Sequence, residues 1–140
     1  MAQLATPHFG VLTYAESDVY YFPGGLPAFE ALTRFVLVER PATAPIVFLQ
    51  SIEDPELAFL TVPATRIAAG YRIPETAASG EGGELLPLAI LTVRGSEVTA
   101  NLRAPVLLDP ATRTGFQAVP LDSPYSLRHP LPLPGGPPCS

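Results

Sequence analysis

The 140-residue chain is long enough for one domain with a buried core, since 47% of its residues are hydrophobic and 15% are charged. This composition argues against a largely disordered protein. Eighteen prolines disfavour long helices, because proline removes a backbone donor and breaks helix interiors. The net charge is −5 and the eight basic residues are scattered arginines, so the concentrated positive surface that nucleic-acid binding requires is missing.

Short apolar stretches alternate with turn residues along the whole chain and predict β-strands. A hairpin turn is predicted at Arg94 to Glu97, where Gly95 can adopt positive φ. Only short helices are expected, over residues 27–32 and over residues 64–69 before Gly70. Many short strands at this spacing favour an all-β, barrel-like or sandwiched antiparallel sheet. The predicted strands are residues 9–14, 19–22, 34–39, 46–51, 58–62, 88–94, 98–102, 105–108 and 116–119.

One domain is predicted over residues 1–129, followed by a flexible proline-rich tail over residues 130–140. Residues 76–84 contain no large apolar side chain and predict a flexible surface loop. The N-terminus lacks a signal-peptide pattern, and no apolar run approaches the length of a membrane span. With Cys139 as the single cysteine, a cytoplasmic protein that does not contact the membrane is expected.

No pattern in the sequence indicates catalysis, a metal site or a cofactor. His8 and His129 lie near opposite ends of the chain without the spacing of metal ligands. Neither a nucleophile turn nor a nucleotide-binding glycine pattern occurs. The densest acidic group, Glu53, Asp54 and Glu56, is either a solvated turn or an attraction for a basic partner.

Three segments carry polar or conformationally special residues that a core strand does not need. The first, residues 22–30, places two glycines between prolines and predicts a sharp turn. The second segment is residues 48–59. In it, Gln50 and Ser51 either stabilise a turn at a strand end or contact a partner. In the third, residues 99–105, Asn101 can bond backbone groups, Arg103 offers a planar donor fork, and Pro105 indicates an edge strand or a strand start. Such an edge either accepts a strand from another chain or is blunted by the proline against that pairing.

These segments, in their order and spacing, resemble the FliW flagellar assembly factor family over residues 9–129. Each motif alone is weak, but five in register are specific. The residues that carry the resemblance are Phe22, Pro23, Gly25, Leu26, Pro27 and Phe29; Leu49, Gln50 and Ser51; Leu57, Ala58 and Phe59; Thr99 to Leu102 with Ala104 and Pro105; and Asp122 to Tyr125 with Arg128 and His129.

The resemblance implies a small antiparallel β pseudobarrel without catalytic activity that binds flagellin and, alternatively, the RNA-binding translational regulator CsrA. Antagonism of CsrA would couple flagellin level to flagellin translation. For residues 99–105 the resemblance also favours recognition over the blunted edge, while both alternatives stay open for Gln50 and Ser51. The candidate partner-contact residues are Gln50, Ser51, Thr99, Asn101, Leu102, Arg103 and Pro105. Ala28 stands where the family usually has glycine, and residues 70–85 look shortened. The alternative hypothesis is therefore a diverged binding module of the same fold with another protein partner.

Overall fold

The computed structural model describes residues 2–26, 29–73, 85–119 and 123–131. Within them the chain forms ten β-strands, one short α-helix and two 3-10 turns, Glu16–Asp18 and Pro41–Thr43. The other elements are β1 Ala2–Thr6, β2 Gly10–Tyr14, β3 Tyr20–Tyr21, β4 Arg34–Glu39, β5 Val47–Ser51, β6 Ala58–Pro63, α1 Ala64–Ile67, β7 Leu86–Arg94, β8 Glu97–Asp109, β9 Thr114–Gln117 and β10 His129–Leu131.

Seven strands close into a barrel in the order β8, β7, β6, β5, β4, β3 and β9, and β9 pairs back with β8. Strand β10 adds to the outside of this ring at β8, while β1 and β2 form a separate hairpin. All pairs are antiparallel except β3 with β9, which meet at Tyr21 and Thr114. A ring with an odd number of strands cannot alternate direction throughout, so one neighbouring pair must be parallel. The predicted all-β barrel is confirmed, and this parallel seam is the one departure from the expected antiparallel pattern.

The main core fills the barrel interior. Phe22 and Phe35 are fully buried and meet edge to face, with ring centroids 5.2 Å apart. Burying each such ring stabilises the fold by roughly 1.5–3 kcal/mol. Gly115 of β9 allows this packing, because a Cβ there would lie 2.6 Å from the Phe22 ring. A side chain at position 115 would therefore push the closing strand away from the core.

A second apolar cluster lies where β7 and β8 carry Ala89, Ala100 and Leu102. Helix α1 covers it with Ala64, and the segment 123–131 covers it with Tyr125 and Leu131. The chain near its C-terminal end is thus part of the folded unit.

Most predicted strands agree with the structure to within two residues. The stretches 98–102 and 105–108 form one strand, β8. Pro105 does not end this strand, because it lies in a bulge, where a residue needs no regular ladder hydrogen bond. Strand β1 and strand β10 were not predicted. Strand β10 carries the sheet two residues past the predicted domain boundary at 129. Gly95 has the predicted positive φ, +60°.

The two helix predictions have different outcomes. Helix α1, Ala64–Ile67, confirms the second. The first is wrong over its described part, since residues 29–32 form a turn closed by the hydrogen bond from the Leu32 N–H to the Phe29 carbonyl. The predicted loop 76–84, position 28 and the tail beyond residue 131 lie outside the described residues.

Candidate protein-binding surface

The seven residues predicted to contact a partner separate into a buried set and a partly exposed set. Gln50, Ser51, Leu102 and Pro105 are buried. Thr99, Asn101 and Arg103 are partly exposed. The structure therefore leaves three of the seven side chains able to reach another molecule without rearrangement.

Gln50 and Ser51 hold the turn between β5 and β6. The Gln50 Nε2 group donates to the carbonyls of Ser51, Pro55 and Leu57 at 2.9, 3.0 and 3.2 Å. The Ser51 hydroxyl accepts the backbone N–H of Asp54 at 3.0 Å. Since both side chains are fully buried, the geometry favours the turn-pinning alternative for this pair.

Strand β8 is not an edge strand, which corrects both sequence-based interpretations of residues 99–105. On one side it pairs with β7. On the other, its first half pairs with β10 and its second half with β9. Between them, the Leu102 N–H donates to the Ser126 carbonyl at 3.0 Å. No strong local pattern predicts this pairing, because β10 is only three residues long and contains Pro130.

Asn101 stabilises a bulge in β8. Ile90 of β7 lies opposite Asn101 and Leu88 lies opposite Val106, so residues 102–105 face Ala89 alone. The Asn101 Oδ1 atom accepts the N–H groups of Arg103 and Ala104 at 3.1 and 2.9 Å. These two donors face away from the regular ladder, and the side chain takes the place of a partner strand. The predicted backbone contact of Asn101 is confirmed.

Tyr71 stabilises the same bulge through the backbone carbonyl of Leu102. Its hydroxyl donates to the Leu102 carbonyl at 2.7 Å, and its ring packs 4.5 Å from that of Tyr125. The Tyr125 hydroxyl in turn accepts the Arg72 N–H at 3.0 Å. Burial, and then the neighbouring Tyr125 hydroxyl, raise the pKa of Tyr71 to about 12. Sequence reasoning did not single out Tyr71, because only the folded chain brings it to β8.

Thr99 and Asn101 line an open groove of about 260 Å³, which we name the β7–β8 groove. Its floor includes Ile90, which also packs against the barrel core. Its rim carries Leu127, a residue that is 54% exposed. The remaining lining residues are Thr92, Arg94, Glu97 and Arg128. The structure thus joins two of the predicted contact residues to four polar or charged residues that were not predicted as contacts.

The acidic turn between β5 and β6 is held by specific hydrogen bonds and an ion pair. The Glu53 carboxylate accepts the N–H groups of Thr33 and Arg34 at 3.0 and 3.1 Å and lies 3.8 Å from the Arg34 Nε atom. The Asp54 Oδ1 atom accepts the Glu56 N–H at 3.2 Å. Glu53 therefore joins this turn to β4, while Glu56 stays exposed.

Among the described residues, no group of three or more histidine, cysteine, aspartate or glutamate side chains could hold a metal ion. No helix in the described ranges is long and apolar enough to cross a bilayer. The geometry offers a β surface that carries the polar β7–β8 groove and the acidic turn.

Comparison with known proteins decides the family, since the FliW protein family model matches residues 3–131. The chain belongs to the FliW family. The flagellar assembly factor FliW of Moorella thermoacetica is 34% identical over 138 residues, covering 92% of this chain and 87% of the relative. That of Geobacter sulfurreducens is 33% identical over 136 residues, with 91% and 85% covered. A crystal structure of the flagellar assembly factor FliW superimposes with a TM-score of 0.81 at 29% identity, covering 92% of this chain and 96% of that one.

FliW membership confirms the resemblance found in the sequence motifs. The solved FliW structure also confirms the barrel, since it matches over nearly the whole of both chains. FliW proteins are non-enzymatic assembly factors, so the prediction of a non-catalytic protein is confirmed at the level of the family. The role of Gln50, Ser51 and the residues of β8 in partner contact stays a prediction.

Proposed function

We propose that this FliW protein is a cytoplasmic regulator of flagellum assembly that binds two proteins in alternation. One is flagellin, and the other is the RNA-binding translational regulator CsrA. When flagellin is secreted and its free level falls, the FliW protein is available to bind and antagonise CsrA. Flagellin translation then rises, so the level of flagellin controls its own synthesis.

The observation that carries this proposal is the family match over residues 3–131, together with relatives named flagellar assembly factors and a solved FliW structure of the same fold. Charge supports it further. At a net charge of −5, the protein attracts a partner whose surface must be positive to bind RNA. The acidic turn concentrates part of that charge on a rigid support.

Calorimetry with the purified flagellin and CsrA of the same organism tests the proposal. We expect saturable binding of each protein to the FliW chain. We also expect the chain to weaken the binding of CsrA to a labelled flagellin leader RNA, and added flagellin to restore that RNA binding. Failure to bind either protein, by a chain that is shown to be folded, would contradict the proposal and favour a diverged binding module with another partner.

A further inference from the structure

We infer that the β7–β8 groove binds an extended, carboxylate-bearing segment of flagellin and does not bind CsrA. The inference deepens the proposed function, and it rests on that function for the name of the partner. The inference that the groove binds a carboxylate-bearing extended peptide does not depend on the proposed function.

The first observation is the shape and lining of the groove. Its volume is about 260 Å³, and Thr92, Thr99 and Asn101 offer hydroxyl and amide groups along it. Leu127 stands 54% exposed at the rim, and Ile90 lies half-buried at the floor. A strand-like peptide matches this pattern, because its side chains alternate between apolar contact and polar contact.

The second observation is charge. Arg94 and Arg128 both line the groove, and both are exposed. The ion pair between Arg34 and Glu53 uses neither groove arginine, and neither Arg94 nor Arg128 forms an ion pair within the described part of the chain. Glu97, the one acidic residue in the lining, offsets part of this charge and leaves the groove with a net positive charge. An acidic protein thus presents two unpaired guanidinium groups on one concave surface.

The partner chemistry follows from these groups. A guanidinium binds a carboxylate through two parallel hydrogen bonds, and such charge-assisted bonds are stronger than neutral ones. CsrA binds RNA and must carry a positive surface for that purpose, which the two arginines would repel. Of the two proposed partners, flagellin is therefore the one whose carboxylate-bearing segments suit the groove.

Charge reversal tests the assignment. The variant Arg94→Glu/Arg128→Glu is compared with Arg66→Glu/Arg72→Glu, whose arginines are exposed outside the groove. Each pair of substitutions lowers the net charge from −5 by four, so the overall charge is matched. Both variants change exposed side chains, and we expect melting temperatures within about 3 °C of the parent protein.

We expect the groove variant to bind flagellin at least tenfold more weakly and the control variant to bind it within about threefold of the parent. Both variants should keep CsrA binding. Loss of CsrA binding in the groove variant, alone or together with flagellin binding, would overturn the assignment. Unchanged flagellin binding would also overturn it.

A second measurement tests the groove inference independently of the proposed function. The capped pentapeptide Gly-Glu-Leu-Glu-Gly is titrated against the full chain while the arginine Nε–Hε resonances are followed by NMR. We expect saturable shifts at Arg94 and Arg128, and at least tenfold weaker binding by Gly-Gln-Leu-Gln-Gly. Equal binding of the two peptides overturns the groove inference even if flagellin binds. If the parent chain binds neither protein but prefers the glutamate peptide, the proposed function fails and the groove chemistry stands.

Discussion

At the scale of single residues, one polar side chain organises the most irregular part of the barrel. The residues 102–105 make no regular ladder with β7, yet two of their N–H groups are satisfied by the Asn101 Oδ1 atom. Buried or half-buried donors without a partner cost free energy comparable to a lost hydrogen bond. Asn101 therefore stabilises the bulge whatever it contributes to binding.

Asn101→Ala removes both acceptor contacts, and we expect it to lower the free energy of unfolding by about 1–2 kcal/mol in urea. Asn101→Asp keeps an oxygen at the same place and should retain most of the stability. A variant Asn101→Ala with parental stability and lost partner binding would contradict this account, and it would make Asn101 the contact residue that the family resemblance implies.

Tyr71 should make stability depend on alkaline pH. Its folded pKa of about 12 lies above the ordinary value of 10.0, so its contribution is complete below pH 10 and is lost as the pH rises toward 12. Tyr71→Phe leaves the Leu102 carbonyl without this donor and should cost about 1–3 kcal/mol at pH 8. Urea unfolding of both proteins should show this difference shrinking between pH 10 and 12. A difference that stays constant over that range would show that Tyr71 ionises equally in both states.

At the scale of elements, the turn between β5 and β6 depends on the single amide of Gln50, which donates to three carbonyls. Gln50→Met keeps the size of the side chain and removes the donors. We expect a loss of about 2–4 kcal/mol in the free energy of unfolding, since one buried and two partly buried contacts to carbonyls are lost together. Urea unfolding followed by circular dichroism measures it. The matched substitution Gln117→Met removes a donor to one carbonyl, that of Ala104, and should cost less.

A second substitution at the same position has a definite pH dependence. In Gln50→Glu a carboxylate would face the three carbonyls, and burial and repulsion both favour its neutral form. The folded pKa of the introduced group is then raised, so stability is present at low pH and is lost as the pH rises. We expect the variant to be more stable relative to the parent at pH 5 than at pH 8. Equal relative stability at both values would mean that the turn opens to water around the new side chain.

The elements that the sequence predicts well are those with a strong local pattern. The stretch 34–39 is a strand with the predicted bounds, because its large apolar residues are bordered by charged ones. Strands β1 and β10 lack such a pattern, since β1 is half exposed and β10 is held mainly by its pairing with β8. The sequence does not predict the groove for a related reason. Arg94 and Arg128 are far apart in sequence, and only the pairing of β10 with β8 brings them to one surface.

At the scale of the whole molecule, the closed ring explains why binding surfaces can be rigid here. Seven strands with no open edge between them leave little freedom for the turns and grooves that they carry. The barrel then holds charges of opposite sign at separate places, with the acidic turn on β5 and β6 and the two arginines beside β7 and β8. Under the proposed function, CsrA and a carboxylate-bearing segment of flagellin would then bind at different surfaces of the barrel.

The acidic turn should act mainly through long-range attraction. Glu56 is exposed, and its hydrogen bonds use backbone atoms: its N–H donates to Asp54, and its carbonyl lies 3.3 Å from the His8 Nε2 atom. Glu56→Lys therefore changes the charge and leaves both contacts in place. We expect CsrA to bind this variant about three- to tenfold more weakly at 50 mM salt, largely through slower association, with the difference vanishing near 0.5 M salt. Stopped-flow or surface-plasmon measurements over that salt range test it.

Glu16→Lys is the matched control for that measurement, because Glu16 is also exposed but lies in the first 3-10 turn. The two variants have the same net charge, so a purely global effect would slow both equally. A slower association for Glu56→Lys alone locates the attraction at the β5–β6 turn. Equal slowing would mean that CsrA responds to the overall charge of the protein, and the turn would then have no special part in guiding the encounter.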